Sequence, residues 1–306
     1  MDNLQRIAYC LSASGTLLTP DLNHLVYAND GTLTEEVWDP ASGETLKVEE
    51  IGQGVKFDAP AAYVWYSNST GGEEEEYEGE GIDGGERMIF SVTPDNRLIG
   101  FKYDYEEDDI WKNIDYGNIG GIEVHPETGL AAALNPDSLY LFFVNPEGRL
   151  QAATGTDITS WALTHPFDAE PRIGTPLTTN VTSDGCSLFY FAVDDTLHYL
   201  HRAHDSQDWI DYKVDNIVVD TPVTRFRASL EQGKVEAYVL TEGRLFQLSE
   251  SGQPVEIGTV EGRQLSKHNN AQNIRWVARG CRPTYYRVRY IVVYHYWVPR
   301  VRGWCW

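Results

Sequence analysis

The chain of 306 residues carries 24 Lys and Arg against 46 Asp and Glu, a net charge of −22 at neutral pH. So acidic a chain is repelled by polyanions and anionic lipid unless its basic residues are segregated, which argues against a nucleic-acid partner. Hydrophobic residues make up 42% and charged residues 23%, ordinary globular usage, and no apolar run nears the roughly 20 residues of a membrane-spanning helix.

The start, Met1-Asp2-Asn3-Leu4-Gln5-Arg6, opens on an acid, and the apolar stretch behind it is broken by Ser12, Ser14 and Gly15. No secretory signal is expected, and a cytoplasmic location is favoured over secretion. From there one unit recurs: an apolar strand, a turn rich in Asn, Asp or Gly, a Leu, then a second strand. Its copies run over 24–33, 87–98, 139–150, 188–197 and 235–245, each a β-hairpin by its turn chemistry.

The Leu after each turn (Leu33, Leu98, Leu150, Leu197, Leu245) recurs at spacings of 65, 52, 47 and 48 residues. The long spacing contains the tract 71–81, Gly and Glu with a single Tyr, which reads as a solvated loop. Before a hairpin lies a strand of small apolar residues (61–65, 130–134). After it comes a segment often begun by Trp (Trp111, Trp161, Trp209).

A period near 50 with four short strands per unit is propeller spacing, and the length accommodates six blades. Ala and Gly in the first strand suit a crowded central channel. No long helical periodicity is present. The expected fold is all-β, a six-bladed β-propeller whose last blade is atypical or incomplete.

Other signals are weak. His198, His201 and His204 are three apart, but on a strand such positions alternate faces. Cys10, Cys186, Cys281 and Cys305 lack C-x-x-C spacing, so no metal is expected. Two sequons begin at Asn68 and Asn180. From Ile274 to Trp306 there are seven Arg, four of the nine Trp and no Asp, Glu or Lys, leaving −29 on the first 273 residues. Residues 1–273 thus hold blades one to five and the start of closure. Residues 274–306 form an anomalous basic aromatic tail in place of blade six, which reads as a reading-frame or splice error, a truncated blade, or a stripe for stacking RNA bases. A broken last blade predicts an open seam.

The repeat resembles the fungal fucose-specific lectins of the six-bladed propeller type, over roughly residues 5–280. That resemblance implies sugar sites between blades, each with an Arg from the second strand, a Glu after the turn, a Trp from the next blade's first strand and a further aromatic. The charged pair would grip vicinal hydroxyls, and the aromatic would cover the apolar face. At the first junction Glu35 and Trp65 match, with Tyr103 or Trp111 as the further aromatic and Asn23 or His24 at the Arg position. At the second, Arg87 matches, beside Gly100 and Leu134. The third has Ser138 and Ala152, the fourth Ser187 and Tyr199, and the last Lys234, Gln247 and Trp276. No junction keeps Arg, Glu and Trp together.

Losing hydrogen bonds to charged groups, about 1.5–3 kcal/mol each, makes ordinary fucose binding doubtful. The chain also resembles lectin-like proteins of fungal natural-product clusters that catalyse a hetero-Diels–Alder reaction, joining a tropolone quinone methide to a sesquiterpene alkene such as humulene. Such a catalyst needs no cofactor, only a dry aromatic pocket and hydrogen-bond donors. The expected ligand is therefore an apolar small molecule or, alternatively, a fucosylated glycan bound without catalysis. A platform for protein interaction is a third reading. No Walker loop, G-x-S-x-G or H-E-x-x-H motif is present.

Overall fold

The computed structural model describes residues 3–18, 22–67, 85–104, 110–114, 119–135, 138–157, 160–250, 252–268 and 292–293. A ten-residue helix, α1 (Asn3–Ser12), precedes five antiparallel blades. Blade 1 is β1 (Gly15–Leu18), β2 (Asn23–Asn29), β3 (Thr32–Trp38) and β4 (Thr45–Gln53); blade 2 is β5 (Ala62–Ser67), β6 (Gly85–Val92), β7 (Leu98–Asp104) and β8 (Ile110–Ile114). Blade 3 is β9 (Leu130–Asn135), β10 (Ser138–Val144), β11 (Leu150–Asp157) and β12 (Ser160–Leu163); blade 4 is β13 (Thr178–Val181), β14 (Gly185–Phe191), β15 (Thr196–Ala203) and β16 (Ile210–Val218). Blade 5 is β17 (Arg225–Glu231), β18 (Lys234–Thr241), β19 (Arg244–Ser249) and β20 (Val255–Glu261), extended by β21 (Gln264–Lys267). A two-residue strand, β22 (Val292–Val293), pairs with the free edge of β5 at Ser67 and Tyr66.

Each predicted hairpin is the β2–β3 type of pair, and turn chemistry sets its register. In blades 1 and 5, Asp30-Gly31 and Glu242-Gly243 take two successive left-handed conformations, φ 48° and 81° and φ 48° and 72°, whose twist matches the flanking strands. Blades 2, 3 and 4 share a longer turn with one left-handed residue: Asn96, Gly148 and Asp195. Their amides close the same bond, to the carbonyls of Thr93, Asn145 and Ala192.

Alternating residues of each strand face opposite neighbours, so every blade contributes to two cores. Blades 1 and 2 enclose Val26, Leu33, Ile89 and Phe101; blades 2 and 3 enclose Phe90, Leu141 and Phe143; blades 3 and 4 enclose Phe142, Leu188 and Tyr190; blades 4 and 5 enclose Phe189, Phe191 and Val239. Trp111, Trp161 and Trp209 each pack from an outer edge onto the preceding blade. The inner strands approach to backbone contact. A Cβ at Gly15 would lie 2.5 Å from the Ala61 carbonyl oxygen, and one at Gly129 would lie 2.7 Å from that of Thr175.

The fifth interface differs from the expected open seam. Helix α1, too short to show as long helical periodicity, sits between blade 5 and blade 1. Its Leu4, Ile7, Ala8 and Leu11, spaced to share one helical face, pack with Leu25 and Trp38 of blade 1 and Leu240 and Ile257 of blade 5. Gln5 ties the helix to the β20–β21 turn: its Nε2 donates to the Arg263 carbonyl at 2.6 Å, and its Oε1 accepts from the Leu265 amide at 2.9 Å. Arg263 crosses to the Glu36 carboxylate on blade 1. Nearer the axis, Arg225 Nε donates to the Ala13 carbonyl at 3.3 Å and Arg227 Nη1 to Thr16 Oγ1 at 3.0 Å. The tract 71–81, Asn68, Trp276, Cys281 and Cys305 lie outside the described residues.

Candidate functional site

At the first junction, strand register decides which side chains meet. Glu35 stands opposite Val26 and His24 opposite Val37, which puts both polar groups on the face of blade 1 that looks at blade 2. Trp65 stands opposite Arg87 and Tyr63 opposite Ile89, so these look back at blade 1. The carboxylate of Glu35, with no exposed surface, accepts from His24 Nδ1 at 2.8 Å, Tyr63 Oη at 2.6 Å and Arg87 Nη1 at 3.2 Å. The Arg87 guanidinium lies over the Tyr103 ring, 3.8 Å from its centroid, and 5.2 Å from that of Trp111. Glu49 completes the cluster, accepting from Trp111 Nε1 at 3.2 Å and pairing with Lys47 at 2.5 Å.

Burial alone would raise the Glu35 pKa. The His24 hydrogen bond and charge, Arg87 and the Tyr63 hydroxyl outweigh it and hold the carboxyl down at about 2. A carboxyl lowered in the folded state contributes stability that is full above its unfolded value of about 4.3 and is lost as pH falls through the folded value. Urea titrations of the wild type should therefore show a midpoint falling between about pH 4.5 and 2. Glu35→Gln should flatten that fall; an unchanged slope in the variant would remove Glu35 as its source.

Arg87 is corrected by this geometry. It was expected at the second junction and lies in the first, because odd-numbered residues of β6 face blade 1 and even-numbered ones face blade 3. Glu35, Arg87, Tyr103 and Trp111 thus come together, and Trp65 lies beside them, buried and lining the axis. Lys234 and Gln247 form no charged pair. Gln247 Nε2 donates to Glu236 at 2.5 Å, while exposed Lys234 borders an open cleft of about 640 Å³ between blades 4 and 5.

Two clusters escape the sequence pattern. Buried Arg202 donates across the third junction to the Tyr140 hydroxyl and within its own blade to Gln207, and Tyr190 donates to Asp211 at 2.9 Å. The three histidines have separate partners: His198 meets Asp211 at 3.0 Å, His201 meets Ser187 at 2.9 Å and His204 meets the Thr182 carbonyl at 2.9 Å. Asn180 Oδ1 accepts from the Leu230 amide at 3.2 Å, so this sequon bridges β13 and β17.

The inner strands enclose a channel of about 180 Å³, walled by β1, β5, β9, β13, β17 and the last residues of α1. A mouth of about 350 Å³ opens from it between the loops that connect successive blades. The two spaces share Ser14, Leu130, Pro176, Leu177 and Arg225, and so form one funnel with Arg225 at the neck. Polar and apolar groups share the wall, Ser14, Thr16, Thr178 and Thr179 beside Ala131, Ala133 and Leu177, and Phe57 stands at the rim with 73% of its surface exposed.

No family model matches the chain, and no curated protein matches it in sequence. Solved structures do match in fold. AofleA from Arthrobotrys oligospora is 14% identical, with a TM-score of 0.60 over 83% of this chain and 74% of that one. An Aleuria aurantia lectin variant, solved in complex with alpha-methyl-L-fucoside, is 15% identical with a TM-score of 0.59 over 81% of each chain. The BP39L lectin of Burkholderia pseudomallei is 16% identical with a TM-score of 0.52, over 82% of this chain and 71% of that one. The chain is an all-β propeller with five blades among the described residues, and it shares that fold with these proteins.

Proposed function

We propose that this lectin-like propeller takes an apolar small molecule in its central funnel, and that its inter-blade junctions serve as internal struts. One observation carries the reading: Glu35, the best match to a sugar-gripping carboxylate, is wholly buried and bonded to His24, Tyr63 and Arg87. A sugar would have to displace those partners. The channel and its mouth together offer space of the size that small ligands occupy, about 300–1,000 Å³, with apolar side chains interleaved with hydroxyl and guanidinium groups.

The reaction that fits such a space is the cofactor-free hetero-Diels–Alder coupling of a tropolone quinone methide with a sesquiterpene alkene. Held in near-attack geometry, the two components avoid the entropy of encounter, and a donor to the heterodiene oxygen stabilises charge developing there. Arg225 at the neck is positioned as that donor. The test incubates the full chain with a quinone-methide precursor and humulene. Acceleration over buffer with one dominant stereoisomer is the expected result, and a product ratio and rate equal to buffer would overturn the coupling.

A second reading, fucosylated-glycan binding, is favoured by the open cleft between blades 4 and 5. There Lys213, Lys234, Asp215 and Glu236 present charges suited to hydroxyl recognition. Retention on a glycan array that Lys234→Ala abolishes would select it over the funnel.

A further inference from the structure

The channel wall has a charge pattern opposite to that of the chain. In a protein of net charge −22, no Asp or Glu among the described residues lines the channel itself, although Asp58 and Glu127 stand at its mouth, and two arginines do line it, Arg225 and Arg227. Both belong to β17 and, two residues apart, lie on one side of that strand about 6.6 Å apart along the channel axis. The intervening Phe226 turns away into the core with blade 4.

Each guanidinium is anchored by part of its donor set. Arg225 spends Nε on the Ala13 carbonyl and Nη1 on the Thr224 carbonyl at 2.9 Å, while Nη2 forms a long ion pair with Asp58 at the rim, 3.8 Å away and beyond hydrogen-bond reach. Arg227 spends Nη1 on Thr16. A guanidinium has five N–H donors, so both hold directed donors beyond these bonds. Cys10, which shares this wall, adds no opposing charge, because burial raises its thiol pKa.

We propose that Arg225 and Arg227 form an oxyanion-recognition site in the funnel, which takes a ligand with a carboxylate or enolate oxygen on an apolar body, covered at the rim by Phe57. This deepens the reading of the funnel as ligand space and rests on it. Two arginines in line along the channel hold an anion by charge-assisted bonds and fix which end of the ligand enters first.

The test compares 1-naphthoate with its neutral relative 1-naphthylmethanol by calorimetry on the full chain. Wild type should bind naphthoate more tightly. Arg225→Gln and Arg227→Gln should each weaken naphthoate about tenfold or more while leaving naphthylmethanol within about twofold. Phe57→Ala, at an exposed position that the fold does not need, should weaken both probes alike. If the Gln variants lose stability, Arg225→Lys and Arg227→Lys keep the charge and should retain the preference in part. Equal binding of the two probes, or Gln variants that bind naphthoate as wild type does, would overturn the arginine site and leave the funnel reading intact. Binding of neither probe by wild type would overturn both.

Discussion

Glu35→Ala is expected to destabilise the protein by about 3–5 kcal/mol, the range for breaking one side of a buried ion pair. The cost comes from what stays behind. Arg87 and His24 are 7% and 3% exposed, and both lose the carboxylate that offsets their desolvation. The Tyr63 hydroxyl loses its acceptor as well. Glu35→Gln keeps an oxygen for Tyr63 and the side-chain volume, so its cost should be smaller. Removing both charges, Glu35→Leu with Arg87→Met, should recover much of the stability, because packed apolar groups can replace a buried pair at little net cost. Urea unfolding of the single and double variants measures the difference. A single-variant loss below about 1 kcal/mol, typical of exposed pairs, would mean the cluster is no strut and that Glu35 is free to serve a ligand.

Deleting residues 1–12 should abolish the cooperative unfolding transition. Leu4, Ile7 and Leu11 are 3%, 0% and 4% exposed, and burying each contributes about 1.5–3 kcal/mol. Their sum is comparable with the whole net stability of a domain, about 5–15 kcal/mol. Without α1, the seam faces of blades 1 and 5 would be uncovered, and Gln5 would no longer hold the β20–β21 turn. The milder Ile7→Ala should cost about 2–5 kcal/mol and lower the melting temperature by several degrees. Because Cys10, Leu11 and Ala13 wall the channel, ligand binding should fall with stability. A deletion variant with an unchanged melt would show that the ring closes by other means.

Much of the fold was legible because hairpins are local. Asp30-Gly31 and Glu242-Gly243 specify their turns within four residues, and the recurrent Leu after each turn counts the blades. Glu35 and Trp65 were legible at one junction for the same reason, since each position is set by distance from its own turn. Arg87 lies at the first junction where the sequence pattern puts it at the second, because a strand's two faces look at different blades and one residue of register exchanges them. Helix α1 is not legible in the sequence, because ten residues carry too short a periodic signal beside a repeat of about fifty. The funnel arginines belong to no motif; they share one strand, and only the convergence of five inner strands makes that strand a channel wall.

What the sequence determined by itself was therefore local chemistry and its count: strands, turns, period and the acidic surface. The tertiary structure decided which face each charge occupies, that a helix sits between blades 5 and 1, and that among the described residues the wall around the axis carries arginines and no acid. The division has a physical cause. Turn formation is an interaction between neighbours in the chain, whereas burial and pairing of Glu35, Arg87, Arg225 and Arg227 depend on strands that sequence separation leaves unrelated.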